Sequence, residues 1–122
     1  MFETPIDFVV LYFSAEDKNR TEFMALKLEL NNKYTCGLGK KIVWKKKRKD
    51  GGTFEKVKLD EDHFVDSKNS FIISSAKKLD EGDYLAVDAD SPDLIAAKYS
   101  VDVYTGLYSV VQQFFKNVSK KC

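Results

Sequence analysis

One histidine, His63, two cysteines, Cys36 and Cys122, and the aspartates Asp88, Asp90 and Asp93 are the side chains of this 122-residue chain best suited to chemistry. His63 follows Asp60-Glu61-Asp62 and reads most simply as a solvated loop residue. Nucleophilic catalysis needs a thiol held against a base, and no spacing of Cys36 or Cys122 to His63 supports such a pair. Two cysteines and one histidine also fall short of the ligand set of a structural zinc site. The aspartates follow D-x-D-x-x-D, without the glycine and the glutamate that a calcium-binding EF-hand loop requires, so they read as solvated turn residues. Cys36-Gly37-Leu38-Gly39-Lys40 lacks the G-x-x-x-x-G-K-[ST] frame in which backbone amides cradle phosphate. The expectation is a chain with no catalytic, cofactor-binding or metal-binding residues, and not an enzyme.

The more unusual chemistry is charge. Lys45-Lys46-Lys47-Arg48-Lys49 form an unbroken basic run. As a surface patch it could hold an acidic protein, a phosphoinositide or nucleic-acid phosphate, and as a linear string it resembles a nuclear import signal. The plainer reading is a solvated hairpin that outgrows the core. Base-stacking aromatics are sparse around it, with Trp44 and Phe54 the nearest, which disfavours nucleic acid. The formal net charge of +1 conceals this asymmetry: residues 40–58 hold nine Lys/Arg against two acids, and residues 59–104 hold four against eleven.

Positioning such a run requires a scaffold, and 122 residues at 43% hydrophobic and 32% charged composition describe one globular domain. No apolar run reaches the roughly 18 residues of a membrane-spanning helix. Met1-Phe2-Glu3-Thr4-Pro5 lacks the pattern of a secretory signal, so if Met1 is a natural start the expected location is the cytoplasm, with the nucleus open. The sequons at Asn19 and Asn117 are then chance matches.

Most apolar positions alternate with a period of two, and turn chemistry interrupts them every eight to twelve residues, as in an antiparallel sandwich or barrel. Strands are expected over 6–13, 24–30, around 41–44, 53–58, 70–74, from 84 and over about 96–104, with a hairpin turn at Asp50-Gly51-Gly52. After Gly106 the period changes. Leu107, Val110, Val111, Phe114, Phe115 and Val118 recur at spacings of three and four, which predicts an amphipathic helix over 107–120. Its apolar face, including Phe114 and Phe115, must pack on the sandwich, on a partner or on a second copy.

Trp44 on the third strand stands forty residues before Tyr84, and Asp80-Glu81-Gly82-Asp83-Tyr84 has the form D-x-G-x-Y. This resembles the immunoglobulin superfamily, most closely its intermediate set as found in titin- and twitchin-like cytoskeletal proteins. The resemblance covers roughly residues 6–104. It implies a Trp packed across the core and a Tyr that returns its hydroxyl to the backbone just upstream, assisted by Gly82 and Asp80. It also implies that the inter-sheet disulfide of the family is absent, with Ala86 and Leu28 or Leu30 in the cysteine positions.

The reading is therefore an all-β, immunoglobulin-like two-sheet antiparallel sandwich over 1–104 with an appended C-terminal helix over 105–122. Its expected function is a non-catalytic protein-interaction module of adaptor or cytoskeletal type. The partner, an acidic protein, would meet Lys45, Lys46, Lys47, Arg48 and Lys49 and the sheet or helix surface. Homodimerisation through 107–118 and polyanion binding through 45–49 are the alternatives.

Overall fold

Alternation of apolar and polar residues produces strands here because successive side chains leave a strand on opposite faces. The computed structural model describes residues 8–14, 26–31, 41–104 and 108–119, with 8–14 and Tyr108 described through their backbone alone. The strands are β1 (Phe8–Ser14), β2 (Leu26–Leu28), β3 (Ile42–Arg48), β4 (Gly51–Lys56), β5 (His63–Val65), β6 (Phe71–Ile73), β7 (Gly82–Asp88), β8 (Ile95–Tyr104) and β9 (Tyr108–Phe114). They form two antiparallel sheets, one of order β1-β9-β8-β7-β3-β4 and one of order β2-β6-β5. The all-β, sandwich-like expectation holds. Among the described residues no helix is long and apolar enough to cross a membrane.

Leu26 and Leu28 point inward from β2 while Lys27 points out, and Phe71 and Ile73 do the same on β6. Opposite them, Trp44 of β3 lies 5.8 Å from the Phe71 ring and 6.3 Å from that of Tyr99. Removing an aromatic from such a site typically costs about 3–5 kcal/mol. Tyr99 also ties the sheets together: its hydroxyl donates to the Glu29 carbonyl at 2.7 Å and accepts from the Glu29 amide at 3.1 Å. Burial pushes this phenol up to about 12.

The C-terminal helix is a correction. Tyr108–Phe114 is β9, with Val111 opposite Leu11 of β1 and Val101 of β8. Consecutive apolar residues also suit a central strand covered on both faces, so Val110 and Val111 are compatible with either structure. The sheet decides between them, because it hydrogen-bonds both edges of the segment, while a short isolated helix is marginal in water. Ser109 and Val111 are fully buried. Beyond β9 the chain turns through Asn117, at φ 66, and Ser119 is fastened to β8. Its amide donates to the Ile95 carbonyl at 2.8 Å, and its hydroxyl accepts from the Ile95 amide at 3.0 Å.

β3 extends through Arg48, so the basic run is itself strand for most of its length. It pairs with β7, Lys45 opposite Leu85, Lys46 opposite Tyr84 and Lys47 opposite Asp83. β5 has no counterpart in the sequence reading, because three residues are too few to display a period.

Candidate functional site

The hairpin of β3 and β4 turns through Lys49 and Asp50 into Gly51 and Gly52, whose φ values are 125 and 97. Side chains avoid these angles, and the two glycines make the tight reversal possible. All six residues of β4 are exposed, and among the described residues β3 is its one neighbour in the sheet.

Strand alternation splits the basic run. Trp44 faces the core, so Lys46 and Arg48 share its side while Lys45 and Lys47 take the other. Lys46 reaches back to donate to the Leu79 carbonyl, its ammonium 5.7 Å from the centre of the Tyr84 ring. Burial holds this lysine below its ordinary value, with the nearby Asp80 acting in the opposite direction. Arg48 pairs with Asp50 at 2.9 Å, and Lys47 lies 5.4 Å from the Phe54 ring centre. Lys49 is tied to β8, at 2.7 Å from Asp102 and 2.7 Å from the Ser100 hydroxyl. Lys45 stands directly opposite Lys56. Neither of them, nor Lys58, has an acidic partner among the described residues. Like charges directly opposed across strands are destabilising.

Beside β4 a cleft of 420 Å³ opens between the sheets. Lys46, Arg48, Lys56 and Lys58 line it, with His63 and Asp80 among its other walls. The sequence predicts a solvated loop residue at His63, whereas the structure holds it on β5 between two carboxylates. Its Nδ1 is 2.7 Å from Asp60 and its Nε2 2.6 Å from Asp80. Burial works against a charged ring here. The bonds to Asp80 and Asp60 outweigh it and raise the histidine above its ordinary value. The hydrogen bond from His63 in turn holds the Asp60 carboxyl below the usual range. With both ring nitrogens engaged, the imidazole braces the cleft and has no nitrogen left to take a proton from a substrate. The three-residue spacing from Asp60 was visible in the sequence. Asp80, the deeper partner, is brought close by folding alone.

Asp80 joins several elements: its second carboxylate oxygen accepts from the Lys77 amide at 2.8 Å, and its carbonyl accepts from the Tyr84 hydroxyl at 2.5 Å. Burial pushes the Tyr84 phenol up, and the Asp80 charge adds to the effect. Gly82 sits where a Cβ would meet the Lys47 carbonyl at 2.7 Å, so β7 can lie this close to β3 only with glycine there. Trp44 donates from Nε1 to the Asn69 carbonyl at 2.9 Å.

Phe114 and Phe115, adjacent in the sequence, do not share the apolar face that a helix would have given them. Phe114 lines a shallow groove of 230 Å³ with Phe54, Leu85 and Lys98 on the large sheet, and Phe115 follows the end of β9 as an exposed residue. A dimer through a 107–118 helix therefore loses its structural basis. Asp88 is buried and caps its own turn, accepting from the Asp90 amide at 2.9 Å and the Ser91 amide at 3.3 Å, while Asp93 is exposed. Cys36, Cys122, the 36–40 loop and the Asn19 sequon lie outside the described residues.

No protein-family model, no curated protein and no solved structure matches this chain.

Proposed function

We propose that this chain is a non-catalytic protein-interaction module of immunoglobulin-like build that holds an acidic protein partner on its β3–β4 hairpin. The observation that carries the reading is the opposition of Lys45 and Lys56 on a hairpin whose second strand is wholly exposed. Those two cations and Lys58 lack acidic partners among the described residues, and anionic side chains from a partner would relieve their repulsion. Lys46, Arg48 and Lys49 are engaged within the chain, so the partner meets a smaller and more defined set of charges than the linear run suggests.

Several features support the immunoglobulin-like build. The Tyr84 hydroxyl returns to the carbonyl four residues upstream, Trp44 packs between the sheets, and Leu28 and Ala86 are buried where the family would carry its disulfide. In such a domain apolar packing replaces the covalent link, and adaptor or cytoskeletal scaffolding is the work the resemblance implies.

The test is a charge reversal, Lys45→Glu with Lys56→Glu and Lys58→Glu, read against a glutamate-rich peptide by calorimetry. Binding that is steep in salt and abolished by the triple variant, with an unchanged melting temperature, is the expected result. Absence of binding at low salt, or tighter binding to a single-stranded oligonucleotide or to phosphoinositide vesicles, overturns the reading.

A further inference from the structure

We infer that the acidic partner docks as an extended segment that adds a strand to the outer edge of β4, a mode that rests on the charge reading above. Antiparallel strands alternate between residues whose backbone groups meet the neighbour and residues whose groups point away. The Val57 amide donates to the Trp44 carbonyl at 3.0 Å, so Val57 and, two residues earlier, Glu55 face β3. Lys56 stands between them, and its N–H and C=O point to the opposite side, away from the sheet. Beyond Glu55 the register with β3 shifts, so the open edge is defined at Lys56. No strand among the described residues pairs with that side of β4, and no turn or loop backbone bond among them engages Lys56.

Unpaired edges are hazards that proteins usually blunt with charge. Charge on this edge also selects what can pair with it. Antiparallel self-pairing of β4 about Val57 would set Lys56 against Lys58 of the copy, and like charges so opposed disfavour it. A segment with acidic residues at alternate positions faces no such repulsion. Such a strand meets Lys58 beside the 420 Å³ cleft, and Lys56 supplies charge at the edge with Lys45 of β3 behind it. Main-chain bonds then give affinity and the alternate side chains give selectivity, as in other strand-addition complexes. The brace of His63 between Asp60 and Asp80 keeps the far wall of the cleft in place.

The experiment uses the full chain, labelled with ¹⁵N, and a probe octapeptide of alternating Glu and Val with blocked ends. Added peptide is expected to slow hydrogen exchange at the Lys56 amide and to leave Glu55 and Val57, which already face β3, unchanged. Peptides N-methylated at alternate residues separate into two phases, one that binds and one that does not. Lys56→Gln removes the charge alone and weakens binding by a few fold. Lys56→Pro also removes the edge donor, which a strand edge tolerates, and weakens binding roughly tenfold further. If Lys56→Pro does not fold, the exchange pattern and the N-methyl series still decide. Charge-dependent binding in which Lys56→Pro matches Lys56→Gln and no edge amide is protected overturns strand addition and leaves the charge reading standing. Absence of peptide binding at low salt overturns both.

Discussion

Replacing His63 with glutamine should lower stability by an amount that depends on pH, because the imidazole is held above its ordinary value by two carboxylates. The ring is 24% exposed and the Asp80 side chain 8%, so their bond is largely withdrawn from water. Hydrogen bonds to charged groups contribute about 1.5–3 kcal/mol, and the partial exposure of the ring argues for about 1.5 kcal/mol. The Asp60 contact is open to solvent and is left out of this figure. A histidine whose folded value lies above its unfolded value of about 6.5 stabilises fully below that pH. The contribution is lost as pH rises through the folded value. Glutamine can replace one donor but not the charge. At roughly 4 °C per kcal/mol for a chain of this size, His63→Gln should lower Tm by about 6 °C near pH 5.5 and by less than half of that near pH 8.5. Thermal melts by circular dichroism at the two pH values measure it. An equal loss at both pH values, or none at the lower one, refutes the role given to the charged ring.

Tyr84→Phe leaves the buried Asp80 carbonyl without its donor and should cost about 1–3 kcal/mol, read as a lower urea midpoint with an unchanged m-value. Gly82→Ala drives a methyl against the Lys47 carbonyl and should cost about 2 kcal/mol or more, with chemical-shift changes concentrated on β3 and β7. Among the described residues the buried Ser109 hydroxyl has no hydrogen-bond partner, so Ser109→Ala should raise stability by about 1 kcal/mol. A loss instead would show that the hydroxyl is satisfied in solution.

The strands were legible where they alternate cleanly. MALKLEL and SFIIS could not bury their apolar residues on one face in any other regular structure. Asp50-Gly51-Gly52 likewise announced a hairpin, since few residues other than glycine accept its backbone angles. The C-terminal segment was illegible for a definite reason. Paired apolar residues satisfy a helix face and a doubly covered strand alike, and the choice depends on β1 and β8 offering hydrogen bonds to both edges of β9. His63 was misread because Asp80, its deeper partner, is seventeen residues away and belongs to another element.

The basic run marks the division most clearly. Sequence alone determined that cations concentrate beside a glycine turn, because composition and turn chemistry are local. Tertiary structure decided which of those cations remain available. Strand alternation sent Lys46 and Arg48 to one side of β3 and Lys45 and Lys47 to the other, and Asp102 on β8 took Lys49. Partners distant in the chain set the availability of a charge, and only folding brings them within reach.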